Sequence, residues 1–176
     1  MTKKDFAPGP LAKVSRELGD GDATLVFVRR LRHGPAKVWR ALTEPAQQLE
    51  WMPFVADRAL DRTGPVTLRM IDEADGPVSQ AGVVAVEPER RLSYSWGDEL
   101  LTWELAPAGT GTELTLRHRT KTPENMSSFA AGWHICLDVA ERFLDGRPVG
   151  RIAGRDALDY GWEALDAGYR AKLAAS

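Results

Sequence analysis

Four runs of alternating residues lie within residues 66–121, ahead of the longest helical pattern in the chain. Side chains of a strand point alternately to its two faces, so each run predicts a strand with one buried face. The inward members of the runs are Val66, Leu68 and Met70; Leu92, Tyr94 and Trp96; Leu101, Trp103 and Leu105; and Leu114, Leu116 and His118. Turn residues separate them, at Gly64-Pro65, Asp75-Gly76-Pro77, Glu87-Pro88-Glu89, Gly97-Asp98 and Ala108-Gly109-Thr110-Gly111. The pattern predicts an antiparallel meander.

One long helix is predicted after the meander, over residues 123–144. At 100° per residue its apolar face collects Met126, Phe129, Trp133, Leu137, Ala140 and Leu144, with Cys136 and Phe143 at the edge. Gly146 follows as a left-handed cap. A long sheet and such a helix bury their apolar faces together when the curved sheet wraps around the helix. The expected fold is therefore an α+β domain with a space between sheet and helix.

The flanking segments add smaller elements. Gly19-Asp20-Gly21-Asp22 separates two extended runs, residues 11–18 and 24–32, which predicts an N-terminal hairpin. Pro35 and Pro45 each fit the first turn of a short helix, the second of which is expected to reach Trp51.

A last amphipathic helix is predicted near the C-terminus. Its apolar stripe consists of Leu158, Trp162, Leu165, Tyr169 and Leu173. At 176 residues the chain has the size of one domain. We expect residues 1–10, which contain Pro8, Gly9 and Pro10, to form a flexible arm and residues 11–176 to form a single domain.

Several phrases, taken in their order along the chain, resemble one known family. They are Val38-Trp39-Arg40-Ala41-Leu42-Thr43-Glu44-Pro45-Ala46-Gln47-Gln48-Leu49-Glu50-Trp51, Gly82-Val83-Val84 leading to Pro88, Leu92-Ser93-Tyr94-Ser95-Trp96, Thr102-Trp103-Glu104-Leu105, Gly111-Thr112-Glu113-Leu114-Thr115-Leu116-Arg117-His118 and Gly132-Trp133. In this order they resemble the activators of heat shock protein 90 ATPase, specifically bacterial homologues of the activator's C-terminal domain, within the SRPBCC or START-like superfamily. The resemblance covers residues 25–144. It implies the helix-grip fold, in which the space between sheet and helix is typically a ligand cavity.

Composition excludes several classes of protein. With 43% hydrophobic and 27% charged residues, the chain resembles an ordinary globular domain, and no apolar run approaches the roughly 18 residues of a membrane span. A net charge of −2 with interspersed Lys and Arg argues against a nucleic acid partner. Cys136 is the only cysteine, so a disulfide within the chain is excluded, and we expect it to be a small core residue. No apolar stretch follows the two N-terminal lysines, so we place the protein in the cytoplasm.

The sequence contains no motif of phosphate-binding, zinc peptidase or serine hydrolase chemistry, so we assign no catalytic residue, metal or cofactor. His33 is expected in a solvated loop. His134 is expected on a solvated helix flank, with a metal site beside Asp138 and Glu141 as the alternative. His118 is expected to face the concave side of the sheet, either satisfied by a backbone carbonyl or acting as a polar anchor in the cavity.

Nine residues are candidates to line that cavity. They are Trp51, Met70, Tyr94, Trp96, Trp103, His118, Met126, Phe129 and Trp133. Bulky aromatic side chains both fill cores and line cavities in the superfamily that the chain resembles. Simple packing is therefore the alternative for each ring, because a buried aromatic side chain removes a large apolar area from water.

Three functions remain open. The first, which we expect, is binding of a small hydrophobic or aromatic ligand in a cavity of roughly 300–1,000 Å³. The second is a co-chaperone role, as the family name implies. The eukaryotic activator uses an additional N-terminal domain for which this chain is too short, so heat shock protein 90 is not the expected partner. The third is a polyketide cyclase or aromatase-like enzyme, with His118 and Tyr94 as its acid-base pair. The last helix leaves a homodimer possible.

Overall fold

The computed structural model describes residues 2–71 and 76–176. Within these residues, eight strands form one antiparallel sheet in the order β1-β2-β8-β7-β6-β5-β4-β3. The strands are β1 (Lys13–Leu18), β2 (Ala23–Leu31), β3 (Phe54–Ala56), β4 (Gly64–Met70), β5 (Val78–Glu87), β6 (Arg91–Trp96), β7 (Glu99–Ala108) and β8 (Gly111–Thr120). The predicted hairpin and meander are confirmed, and β2 pairs with β8 to join them. Asp75, in one expected turn, lies outside the described residues.

Four α-helices accompany the sheet in the described part of the chain. They are α1 (Pro35–Thr43), α2 (Pro45–Gln48), α3 (Met126–Leu144) and α4 (Trp162–Ala174). The sheet curls around α3, which confirms the predicted α+β helix-grip fold. The end of α3 also follows the prediction: Gly146 has a φ of 74°, and the Arg147 N–H donates to the Arg142 carbonyl across it.

Three local predictions need correction. Helix α2 ends at Gln48 rather than Trp51. The short strand β3 follows it and was not predicted, because a strand of three residues carries almost no periodic signal. Leu158 does not belong to the last helix, because it lies in a separate 3₁₀ helix, Gly154–Tyr160, and is 53% exposed. Gly161, with a φ of 88°, separates this 3₁₀ helix from α4.

Aromatic side chains fill the interior between the sheet and α3. Trp103, on β7, is fully buried and meets the rings of Trp51 and Trp133 edge-on, at centroid distances of 6.0 and 5.3 Å. Its indole Nε1–H donates to the Tyr94 hydroxyl at 3.1 Å. These rings pack against one another at the centre of the grip.

Helix α3 is buried on more than its predicted apolar face, because α4 and the N-terminal segment cover the opposite side. The prediction that His134 is solvated is therefore wrong: its side chain is fully buried, and its Nδ1 lies 2.6 Å from the Tyr169 hydroxyl. That hydroxyl also accepts the Ala12 N–H at 2.9 Å, so Tyr169 links the N-terminal segment to His134 of α3.

Asp138 holds the N-terminal segment on the same side of α3. Its carboxylate accepts the Gly9 N–H at 2.8 Å and pairs with the Arg29 guanidinium. Burial alone would raise the pKa of Asp138, but His134, Arg29 and Gly9 together outweigh it and hold the pKa at about 2. Asp138 is therefore ionised at neutral pH.

Residues 2–10, expected to form a flexible arm, lie against the domain in this structure. Phe6 is buried, packs edge-on against Tyr160 at 5.8 Å and lies under the Arg142 guanidinium at 4.5 Å. The Phe6 ring and the Arg142 cation above it hold the N-terminal segment against the domain. The proline and glycine content of this segment does not reveal that contact. No helix in the described residues is long and apolar enough to cross a membrane.

Candidate functional site

A pocket of about 360 Å³, which we call the helix pocket, opens along one side of α3. Phe129, Gly132 and Trp133 of α3 form one wall and Trp96 at the end of β6 forms another. Residues 152–155, Ala157, Leu158 and Trp162 form much of the remainder. Apart from Ser128 and Arg155, the residues that line the pocket either have apolar side chains or are glycines. The pocket therefore offers an apolar surface with few polar groups.

The lack of a side chain at Gly132 creates part of the helix pocket. A Cβ added to Gly132 would meet nothing within 4 Å, and the residue lies in the interior of α3 without a positive φ. Glycine weakens a helix interior by roughly 1 kcal/mol relative to alanine. A side chain at this position would enter the helix pocket, so the glycine keeps that part of it open.

A second pocket of about 280 Å³, which we call the Glu99 pocket, shares Trp96 and Phe129 with the helix pocket. Its remaining border comes from Met70, His118 and Glu99, and from residues 77–79 at the start of β5 with Gly97. Trp96 and Phe129 border both pockets and remain partly exposed. These two rings are the centre of the candidate site.

A chain of hydrogen bonds fixes the polar groups of the Glu99 pocket. The Trp133 Nε1–H donates to His118 Nδ1 at 3.0 Å. Because an indole can only donate, Nδ1 must accept, and the ring proton therefore lies on Nε2. Nε2 lies 2.9 Å from Glu99 Oε2 and donates to it, while the Thr120 hydroxyl donates to Oε1 at 3.0 Å.

Burial sets the protonation of these groups. It lowers the pKa of His118 to about 4, so the ring is neutral at physiological pH. Burial also raises the pKa of Glu99, with the neighbouring Asp98 charge acting in the same direction and the Thr120 hydrogen bond opposing it. The ring of His118 stacks on Phe129 at 4.5 Å and is fully buried. The histidine therefore serves as a fixed link between Trp133 and Glu99, not bonded to a backbone carbonyl as one prediction had it.

The nine predicted site residues fall into three places. Met70, Trp96, His118, Phe129 and Trp133 border one or both pockets. Trp51, Tyr94 and Trp103 border neither, because they pack against one another in the closed aromatic interior. Met126 borders a different depression, near the C-terminal end of α4.

The suggested acid-base pair of His118 and Tyr94 is not assembled at either pocket. Tyr94 lies in the interior with its hydroxyl occupied by Trp103, and burial raises its pKa. Both ring nitrogens of His118 are engaged. In the part of the chain that the structure describes, no three His, Cys, Asp or Glu side chains group closely enough to hold a metal ion.

Glu99, Gly132 and Trp162 are among the site residues that the sequence analysis missed. Glu99 precedes Leu101 and Trp103 by two and four positions on β7, so the same alternation places it on the concave face. That signal was present in the sequence. Gly132 and Trp162 carried no such signal, because only the packing of α3 and the following segment brings them to one pocket.

Comparison with known families gives one match that covers most of the chain. The family model described as activator of Hsp90 ATPase homolog 1-like protein matches residues 32–144. No curated protein matches the sequence.

Several solved structures share the fold. CalU16 from Micromonospora echinospora is 20% identical, with a TM-score of 0.68 over 92% of this chain and 96% of that one. MLL2253 from Mesorhizobium loti is 29% identical, with a TM-score of 0.60 over 70% and 97% of the two chains. DynU16, from the dynemicin biosynthetic locus, is 20% identical, with a TM-score of 0.62 over 75% and 50%.

Proposed function

This chain belongs to the family of activator of Hsp90 ATPase homolog 1-like proteins, and on that premise we propose that it binds a small hydrophobic or aromatic molecule. The observation that carries the proposal is the helix pocket, in which partly exposed rings of Trp96, Phe129 and Trp162 face a space with apolar walls. A ligand in that space would remove the faces of these rings from water, at roughly 25 cal/mol per Å² of apolar surface buried.

The dimensions of the pocket support a ligand of modest size. Its volume of about 360 Å³ lies at the lower end of the range of small-molecule sites, roughly 300–1,000 Å³. A fused bicyclic aromatic or a short branched hydrocarbon has suitable dimensions. Exposed aromatic faces favour a flat ligand, because offset and edge-to-face ring contacts add to the area term.

In this proposal the partner is a small molecule in the cytoplasm, not a nucleic acid, a membrane or heat shock protein 90. A catalytic role is not included. Both ring nitrogens of His118 are engaged, and Tyr94 borders neither pocket, so this pair gives acid-base chemistry no support.

Filling the helix pocket from its own wall tests the proposal. The Gly132→Phe substitution places a ring where an added Cβ meets nothing within 4 Å, and we expect it to weaken naphthalene binding by more than about tenfold, or 1.4 kcal/mol. Titration of naphthalene, followed through the indole N–H signals of the tryptophans by NMR, measures this change.

The matched control is Gly132→Ala, which adds one methyl group and leaves most of the space. It should bind naphthalene within about threefold of the wild type and gain up to about 1 kcal/mol of stability from helix propensity. Equal naphthalene affinity in the wild type and in a folded Gly132→Phe variant would show that naphthalene does not bind in the helix pocket.

A further inference from the structure

Glu99 is the charged side chain at the border of the Glu99 pocket. Ser79 and His118 are the other polar side chains there, and within the described residues no lysine or arginine borders this space. The Glu99 side chain is 21% exposed and lies beside the partly exposed rings of Trp96 and Phe129. A carboxylate therefore lies next to the apolar surface on which a ligand would rest.

Two donors hold this carboxylate without saturating it. Oε2 accepts the His118 Nε2–H at 2.9 Å, and Oε1 accepts the Thr120 hydroxyl at 3.0 Å. An ionised carboxylate has about four acceptor sites, so each oxygen keeps capacity for another donor. His118 has none left, because its Nδ1 is already bound by Trp133. Of this hydrogen-bonded group, only the carboxylate can take a further partner, and it can take only a donor.

The charge around Glu99 also favours a hydrogen-bond donor as its partner. Asp98 adjoins Glu99 in the chain, and burial together with the Asp98 charge makes ionisation of Glu99 less favourable than in water. An anionic group placed against Glu99 would add to this repulsion. A hydroxyl or ammonium group would stabilise the carboxylate instead, because hydrogen bonds to a charged acceptor are stronger than those between neutral groups.

We propose that Glu99 selects ligands that carry a hydroxyl or protonated amine next to their apolar body and excludes ligands that carry a carboxylate there. In this arrangement the apolar body occupies the helix pocket against Trp96 and Phe129, which border both pockets, and its donor extends into the Glu99 pocket toward Glu99. Trp133, His118 and Thr120 act as positioning residues that hold the carboxylate in place. This inference rests on the proposed binding function and specifies the class of ligand.

Three probes with one ring system test the inference: naphthalene, 2-naphthol and 2-naphthoate. Each is titrated by NMR into the wild type, into Glu99→Gln and into Glu113→Gln, a matched control on the neighbouring strand β8 where the side chain is 46% exposed. Wild type should prefer 2-naphthol to 2-naphthoate by about tenfold or more, in line with one charge-assisted hydrogen bond. Glutamine at position 99 can still accept from His118, so the fold should persist.

The outcomes separate the two proposals. The preference should fall to within about threefold in Glu99→Gln, chiefly because 2-naphthoate binds better, and should be unchanged in Glu113→Gln. Equal binding of all three probes to the wild type would overturn the selection by Glu99 and leave apolar binding standing. Failure of all three probes to bind would overturn both.

Discussion

Replacing Trp103 with alanine is expected to lower the free energy of unfolding by about 4 kcal/mol. The ring is fully buried, contacts Trp51 and Trp133 edge-on and donates its indole N–H to Tyr94. Alanine would leave a large cavity among rings that cannot collapse into it, and would leave the Tyr94 hydroxyl without its donor. Urea unfolding of the two proteins measures the difference.

The control for this substitution is Leu18→Ala. Leu18 is 77% exposed at the end of β1, so its truncation should change the free energy of unfolding by no more than about 0.5 kcal/mol. A loss below about 1 kcal/mol for Trp103→Ala would show that the aromatic interior is loosely packed. In that case Trp103 could line a ligand cavity after all.

Acidification from pH 7 to pH 4 should remove about 3 kcal/mol of stability through His118 alone. Burial lowers the pKa of His118 from 6.5 to about 4. The unfolded chain therefore binds the proton more readily than the folded one over this interval. The contribution is intact above pH 6.5, declines as the pH falls from 6.5 to about 4, and is fully lost below the folded value.

The hydrogen bonds of His118 independently predict that stability falls in acid. Protonation of His118 Nδ1 would set two donors against each other, because the Trp133 indole N–H already points at that atom. In His118→Gln the titrating group is absent, while an amide can still accept from Trp133 or donate to Glu99. Its acid-dependent loss of stability should therefore be smaller than the wild-type loss by about 3 kcal/mol.

Urea unfolding at pH 7 and pH 4 checks this prediction, with His33→Gln as the matched control. His33 lies outside the candidate site and pairs with Asp145 at 2.8 Å. Its substitution should leave the contribution of His118 intact. If His118→Gln lost as much stability in acid as the wild type, a neutral, buried His118 would be ruled out.

The N-terminal hairpin, the meander and the gripping helix could be predicted because their signals are local. Alternation over residues 66–121 identified most of the sheet, and Gly146 marked the end of α3 correctly. Strand β3 has only three residues, Phe54–Ala56, and so carries almost no periodic signal. Its pairing with β4 depends on the tertiary fold.

The prediction for His134 was wrong because burial depends on what else packs at a position. His134 was predicted as exposed because its helical position adjoins charged residues, yet Tyr169 of α4 covers it. Trp51 and Trp103 contact each other in the interior and border neither pocket, so their place in a ligand cavity stays a prediction. Glu99 differs, because alternation along β7 was sufficient to place it inward.

The central claim is that the space beside Gly132 holds a small apolar molecule. Native mass spectrometry of the wild type and of Gly132→Phe, each purified gently from the native host and compared with denatured samples, tests it most directly. We predict an extra mass on the wild type that is lost on denaturation and is absent from the folded variant. Bare protein in both samples, or the same extra mass on both, would contradict the claim.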